Sequence, residues 1–285
     1  MAKYAEGQSG RADQAIPFLR WAGGKTQLLP KLLAHVPAKF KTYREPFLGG
    51  GAMFFALRPA RAVLSDANRE LVTTYQAVRD NVDEVICRLH WFSERHSPEQ
   101  FEEVRSAHFA SGIPAHVAAR MIYLNKTCFN GLYRVNASGK FNAPLGKFKT
   151  PPTICDEKNL HACAVALASA WIEPWDFRTA IKAAKRGDFV YADPPYLPSS
   201  DTSEFTSFTA GGFAAEDHIE LAQALLKSGA RGAHILLSSA DNPNSRKIYR
   251  DLKRERITAR RNISSKGDGR GAVGELLCTY KPPRR

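Results

Sequence analysis

The stretch Asp188–Tyr196, DFVYADPPY, constrains this chain more than any other. Phe189-Val190-Tyr191-Ala192 is a short apolar run bounded by polar residues, the pattern of a buried strand. Asp193-Pro194-Pro195-Tyr196 cannot extend its ladder, because each proline lacks an N–H and holds φ near about −65°. The residue before each proline is also pushed out of the helical region. The strand therefore runs into a stiff corner that presents a carboxylate and an aromatic ring. Open α/β sheets bind ligands outside the carboxyl ends of their strands. A plain strand-to-loop exit is the structural alternative for any Pro-Pro pair, but the apolar strand ahead and the flanking Asp and Tyr favour a site.

A length of 285 residues suits one large α/β domain with a smaller inserted piece. The formal net charge of +13 favours a polyanionic partner, nucleic acid ahead of an anionic membrane. Five scattered cysteines (Cys87, Cys128, Cys155, Cys163, Cys278) include no C-x-x-C pair, so neither a zinc site nor a disulfide framework is expected, and a reducing cytoplasm is the simplest setting. His90, His96, His108 and His116 show no metal-ligand spacing, and no metal is expected. No apolar run approaches a membrane span, and no signal-peptide core is expected at the N-terminus.

Residues 1–14 read as a loose tail. In Pro17–Lys25 two glycines precede Lys25 and a leucine-rich helix, a tight turn whose N–H groups can face an anion, although the full P-loop pattern is not met. Thr42–Phe47 reads as a strand, followed by Gly49-Gly50-Gly51 and an apolar helix. Ala62–Asp66 reads as a second strand ending in an acid. A carboxylate so placed can accept both ribose hydroxyls of an adenosine. Its structural alternative is a cap for the helix beginning near Asn68. From Leu71 to Ala119 the chain reads as helical, with starts at Pro98 and Pro114. No Asp or Glu occurs between Glu103 and Asp156, and this basic, aromatic stretch suits a phosphate backbone. Within it Tyr133–Val135 and Lys140–Asn142 flank a turn at Asn136-Ala137-Ser138-Gly139 and read as a hairpin. Phe129 can wedge into a base stack, and Arg134 can reach guanine in the major groove. A solvated basic loop is the alternative. Further on, a helix at Leu160–Ser169, a strand at Trp171–Pro174, a loop at Leu197–Phe213 and a helix at Glu216–Ser228 stopped by Gly229 are expected. So are strands at His234–Ser239, Ile257–Ile263 and Gly274–Tyr280, with a basic loop at Ser264–Gly271.

Taken together, W-A-G-G-K (Trp21–Lys25), E-P-F-x-G-x-G (Glu45–Gly51), D-x-N (Asp66–Asn68) and D-P-P-Y resemble the motifs of amino-group DNA methyltransferases. N-K-T-C-F-N-G-L-Y-R-V-N and G-K-F-N-A-P-L-G resemble the recognition hairpin of the DNA adenine methylase (Dam) family, and the likeness runs from Phe18 to about Tyr280. It implies a Rossmann-like methyltransferase α/β sheet with helices on both faces, plus an inserted helical and β-hairpin DNA-recognition domain. Residues 15–70 and 156–285 would form the catalytic domain and 71–155 the recognition domain. It implies S-adenosylmethionine as cofactor, held by Trp21, Lys25, Phe47, Gly49, Gly51, Asp66, Asp176, Phe177 and Asp193, with Lys25 near its carboxylate. It implies catalysis by Asp193, Pro194, Pro195 and Tyr196 on N6 of a flipped-out adenine, with GATC as the expected site. Double-stranded DNA would meet Arg20, Phe129, Asn130, Leu132, Arg134, Pro144 and Lys149. Lys140 departs from the acid found in some members, which bears on the pattern of base readout. A monomer is expected, and a cognate restriction endonuclease is a partner the family admits. Cytosine N4 or RNA adenine as substrate, and a silent DNA-binding protein on the same fold, stay open at this level.

Overall fold

Among the described residues, seven strands form one sheet in the order β3-β2-β1-β4-β5-β7-β6. They are β1 (Tyr43–Glu45), β2 (Ala62–Ser65), β3 (Ala170–Glu173), β4 (Phe189–Ala192), β5 (His234–Ala240), β6 (Lys253–Arg260) and β7 (Ala272–Tyr280). The computed structural model describes residues 15–107, 112–136, 138–197, 212–260 and 272–282. The expected N-terminal tail, Ala137 of the hairpin turn, most of the loop at Leu197–Phe213 and the basic loop at Ser264–Gly271 lie outside the described residues. The strands β1 to β5 pair in parallel, and β7 pairs antiparallel with both β5 and β6.

The chain runs outward from β1 through β2 to β3, then crosses back to lay β4 on the other side of β1. The crevice between the carboxyl ends of β1 and β4 is therefore the topological switch point, where such sheets bind ligands. Strand alternation divides the core in two. Phe189 and Tyr191 of β4, Leu236 of β5 and Leu277 of β7 join one apolar cluster with α1 (Leu29–Leu33), α2 (Ala52–Leu57), α3 (Arg69–Asp80) and α7 (Glu157–Leu167). Val190, Ala192, Ile235, Leu237, Leu276 and Cys278 point the other way, toward α8 (Phe177–Lys182), α9 (Ala215–Ala230) and α10 (Pro243–Ile248). Successive strand residues face opposite sides, so a sheet covered on both faces needs the near-continuous apolar runs seen in β4 and β5.

Between α3 and α7 lie α4 (Val82–Glu94), α5 (Pro98–Ser106) and α6 (Pro114–Thr127). Pro98 and Pro114 occupy first-turn positions, where a missing N–H costs nothing. The helix α3 itself packs on the sheet, where Gln76 and Arg79 donate to the carbonyls of Ile172 and Ala170 at 2.8 Å each. Gly229 does not stop α9, which continues to Ala230. A Cβ there would meet the Tyr280 ring at 2.5 Å, so this glycine serves close packing of helix on strand.

Candidate active site at the sheet switch point

Beyond Ala192 the double proline ends β4, and Asp193 emerges at the switch point with its side chain 19% exposed. Lys25 Nζ lies 2.7 Å from Asp193 Oδ1, and Ser238 Oγ donates to the same oxygen at 2.9 Å. Oδ2 has no partner among the described residues. Ser238 reaches Asp193 because β4 and β5 pair in register, Ala192 beside Leu237. Its hydroxyl is steadied by Tyr191 Oη at 3.0 Å. Lys25 is only 5% exposed and also donates to Gly23 O (2.9 Å) and Tyr196 Oη (3.0 Å). Burial alone would lower its pKa, but the charges of Asp193, Tyr196 and Glu275 outweigh that and raise it, so Lys25 stays an ammonium. Tyr196 Oη donates in turn to Glu275 Oε1. Burial pushes the Tyr196 hydroxyl well above its ordinary pKa, so it remains a donor.

At the end of β1, burial drives the Glu45 carboxyl well above the usual range, with the Asp193 charge adding to it. Tyr43 Oη donates to it at 2.8 Å. The turn that follows carries Gly49 at φ +47° and Gly51 at φ +65°. The Trp21 indole lies against this turn: a Cβ at Gly49 would meet Trp21 Cδ1 at 2.7 Å. The indole also stacks on Tyr133, with centroids 5.2 Å apart. Asp66 accepts from Gly49 N (3.1 Å) and Asn68 N (3.0 Å), while the cap of α3 is Asn68, which accepts from Leu71 N at 3.1 Å. Asp66 is thus bound to the glycine turn of the neighbouring strand, not to the helix. Burial raises its pKa, and these backbone donors lower it.

At the end of β3, Asp176 caps α8 through Thr179 N (3.1 Å) and pairs with Arg178 at 3.0 Å. Phe177 stacks on Phe47 of the glycine turn at 5.7 Å, which brings the β3 and β1 ends together. Arg178 also binds Asp217 (2.6 Å) and Glu220 (2.5 Å), tying α8 to α9.

The basic stretch forms an arm beside this crevice. Asn125 at the end of α6 accepts from Arg20 N (2.8 Å) and donates to Arg20 O (2.7 Å) and Gly131 O (3.0 Å). Arg20 therefore lies on the turn Phe129–Gly131, where a Cβ at Gly131 would come within 2.7 Å of its Cδ. Phe129 is 47% exposed, and Asn130 adopts φ +56° at the crest of the turn. Phe129 N donates to Pro144 O at 2.8 Å, so Pro144 stands beside the crest. The hairpin is present: Val135 pairs with Phe141, and Asn142 N donates to Arg134 O at 2.9 Å. Arg134 is exposed, its Nε donating to Asn142 Oδ1 at 2.8 Å. Leu132 is half-buried, and Lys149 is exposed farther along. The base of the arm is anchored where Glu70 takes Arg120 at 2.7 Å and Tyr133 Oη at 2.9 Å.

Ser238, Glu275, Tyr191 and Asn125 are absent from the candidates read from the sequence. Tyr191 had one signal, a polar atom on an otherwise apolar strand, and Ser238 a weaker one, a hydroxyl beside Ser239 after the apolar run Ile235–Leu237. Glu275 had a similar signal, the single acid of the run Ala272–Tyr280, and Asn125 had none; the partners of both lie far away in the chain.

Residues 21–263 match the family model described as D12 class N6 adenine-specific DNA methyltransferase. The chain is 38% identical over 269 residues to the type II methyltransferase M1.LlaDCHI of Lactococcus lactis subsp. cremoris, covering 92% of this chain and 94% of that protein. It is 37% identical to the type II methyltransferase M.MjaIII of Methanocaldococcus jannaschii, over 92% of this chain and 97% of that protein. It is 34% identical to the DNA adenine methylase of Escherichia coli, over 93% and 95%.

Proposed function

The chain belongs to the D12 class N6 adenine-specific DNA methyltransferases, and from that premise we propose that it methylates N6 of an adenine flipped out of duplex DNA, within GATC. The observation that carries this reading is the posture of Asp193. Its Oδ1 is engaged by Lys25 and Ser238 at the end of β4, which orients Oδ2 for an incoming amine.

The cofactor fits the chemistry of the surrounding side chains. Asp66 offers carboxylate oxygens suited to ribose hydroxyls, Phe47 and Phe177 offer aromatic faces suited to adenine, and Asp176 offers an acceptor suited to an amino group. Trp21, Lys25, Gly49 and Gly51 complete that set. S-adenosylmethionine, when bound, supplies a methyl group already activated by a sulfonium sulfur.

The protein's task is then orientation and electrostatics. The adenine amine is a poor nucleophile because its lone pair is delocalised into the ring. Asp193 Oδ2 accepts one amine N–H and the Pro194 carbonyl accepts the other, which draws the nitrogen toward tetrahedral geometry and favours the transition state over the ground state. Pro195 stiffens the loop, and Tyr196 faces the base. As the new C–N bond forms, the methyl–sulfur bond breaks with its electron pair returning to the departing neutral thioether, and the nitrogen sheds a proton toward Asp193 Oδ2. The target must leave the stack to reach this pocket. Phe129 and Asn130 at the crest of the arm suit the opened duplex, Arg134, Leu132 and Pro144 suit base readout, and Arg20 and Lys149 suit the backbone.

The test is tritiated-methyl transfer from S-adenosylmethionine to duplexes with and without GATC, followed by nucleoside analysis. We expect N6-methyladenine only with GATC, and loss of transfer in Asp193→Ala with DNA binding retained on gels. Label in cytosine, or undiminished transfer by Asp193→Ala, would refute the assignment.

A further inference from the structure

Glu275 lies 79 residues from Tyr196 in the chain and belongs to β7, the antiparallel strand, outside the sequence motifs that carry the site. The register brings it there. Pairing of β5 with β7 sets Glu275 beside Ala240 and Leu277 beside Ser238. Alternation turns Glu275 and Ser238 toward the face that carries Lys25 and Trp21, whereas the neighbouring Leu276 joins the opposite core. A carboxylate only 5% exposed is costly unless paired and hydrogen-bonded. This one accepts the Tyr196 hydroxyl proton. The Tyr196 oxygen in turn accepts from Lys25, which also binds Asp193 and Gly23 O.

The result is a directed chain: Asp193 and Glu275 at its ends, one cation and one phenol between. A phenol has a single proton to give. Because Glu275 takes it, the oxygen's lone pairs are left for Lys25, and the ring is pinned from the strand behind it. If Glu275 merely filled the strand face, an apolar residue like Leu277 two positions on would serve without the desolvation cost.

Resting on the function proposed above, we propose that Glu275 is a positioning residue for methyl transfer: through Tyr196 and Lys25 it fixes the ring that meets the flipped base and the posture of Asp193. Its removal then slows the transfer step while ground-state binding of cofactor and DNA persists. Glu275→Gln retains an acceptor oxygen of the same reach without the charge. Glu275→Ala removes both, and Tyr196→Phe cuts the same link without altering β7.

The experiment is single-turnover methyl transfer at saturating S-adenosylmethionine on a GATC duplex, with cofactor and DNA affinities and melting temperature measured on the same proteins. Hydrogen bonds to charged groups are strong enough for Glu275→Ala to slow transfer roughly 30-fold, with Glu275→Gln recovering part of the loss. Affinities are expected to stay within about threefold, since ground-state contacts are left in place. In a Tyr196→Phe background, Glu275→Ala is expected to add little, because the link is already cut. Unchanged transfer in Glu275→Ala, losses that multiply with Tyr196→Phe, or a loss confined to binding would each overturn the inference. Should Glu275→Ala melt far below wild type, Glu275→Gln and Tyr196→Phe decide the question, and wild-type rates in both would overturn it. A wild-type protein that transfers nothing to adenine sinks the proposed function and this inference with it. An active wild type with unaffected variants sinks the inference alone.

Discussion

Replacing Gly49 by alanine probes the contact that joins the glycine turn to Trp21. Gly49 sits at φ +47°, a region that costs an L-residue about 1–2 kcal/mol. The new Cβ would also fall 2.7 Å from Trp21 Cδ1 and 3.1 Å from Nε1. The indole is not free to shift, because it stacks on Tyr133, whose hydroxyl is held by Glu70 at 2.9 Å. Overpacking of this kind costs about 1–3 kcal/mol, so Gly49→Ala should lose about 2–5 kcal/mol in all. Gly139→Ala is the control: it has a similar φ of +73° but nothing within 4 Å of where its Cβ would stand, so only the backbone cost of about 1–2 kcal/mol applies. The difference between the two variants, measured by urea unfolding, isolates the indole contact. Gly49 N–H also binds Asp66, so a shifted turn should weaken S-adenosylmethionine binding by about tenfold, as expected for one disturbed hydrogen bond to a charged group. Titration by tryptophan fluorescence reads this directly. Equal destabilisation of the two variants within about 0.5 kcal/mol, the usual scatter for surface changes, would refute the reasoning.

The fully buried His218 donates to or accepts from Tyr249 Oη at 2.6 Å, and burial pushes its pKa down to about 4, with Asp217 opposing. Between pH 6.5 and about 4 the unfolded chain therefore takes up a proton that the folded one refuses. Stability should fall as pH drops through that window, by up to about 3 kcal/mol. His218→Phe should flatten this part of the curve in chemical denaturation, and an unchanged slope would assign it to other groups. Arg134→Ala should relax site choice by about 1–3 kcal/mol at one base, seen by sequencing methylated products. Asn142→Ala should do so more weakly, since it removes the side-chain tie on Arg134 Nε and leaves the guanidinium and its bond to the Asn142 carbonyl. Asn125→Leu strands the Arg20 amide and carbonyl and the Gly131 carbonyl, and should cost about 3 kcal/mol in urea unfolding.

What could be read from the chain alone was whatever neighbouring residues encode together. Apolar runs bounded by turn residues located β2, β4 and β5, and prolines marked the starts of α5 and α6, because these signals act through backbone sterics and burial over a few positions. The local strings at Trp21–Lys25, Glu45–Gly51, Asp66–Asn68 and Asp193–Tyr196 mark four segments that the fold gathers at one crevice. Their partners were another matter. Spacing left Asp66 either as a cap for the helix beginning near Asn68 or as an acceptor for ribose hydroxyls. The gathering of β1 and β2 ends awarded the cap to Asn68 and the turn to Asp66. Gly229 reads as a stop signal in the sequence, yet the Tyr280 ring packed against it is what requires a glycine there. Glu275 is marked only as the single acid of β7, and Ser238 only as one of two serines after an apolar run; neither mark names a partner. Hydrogen-bonded register across β4, β5 and β7 sets them against Asp193 and Tyr196, because strand pairing joins residues by their place in the sheet and is blind to their distance along the chain.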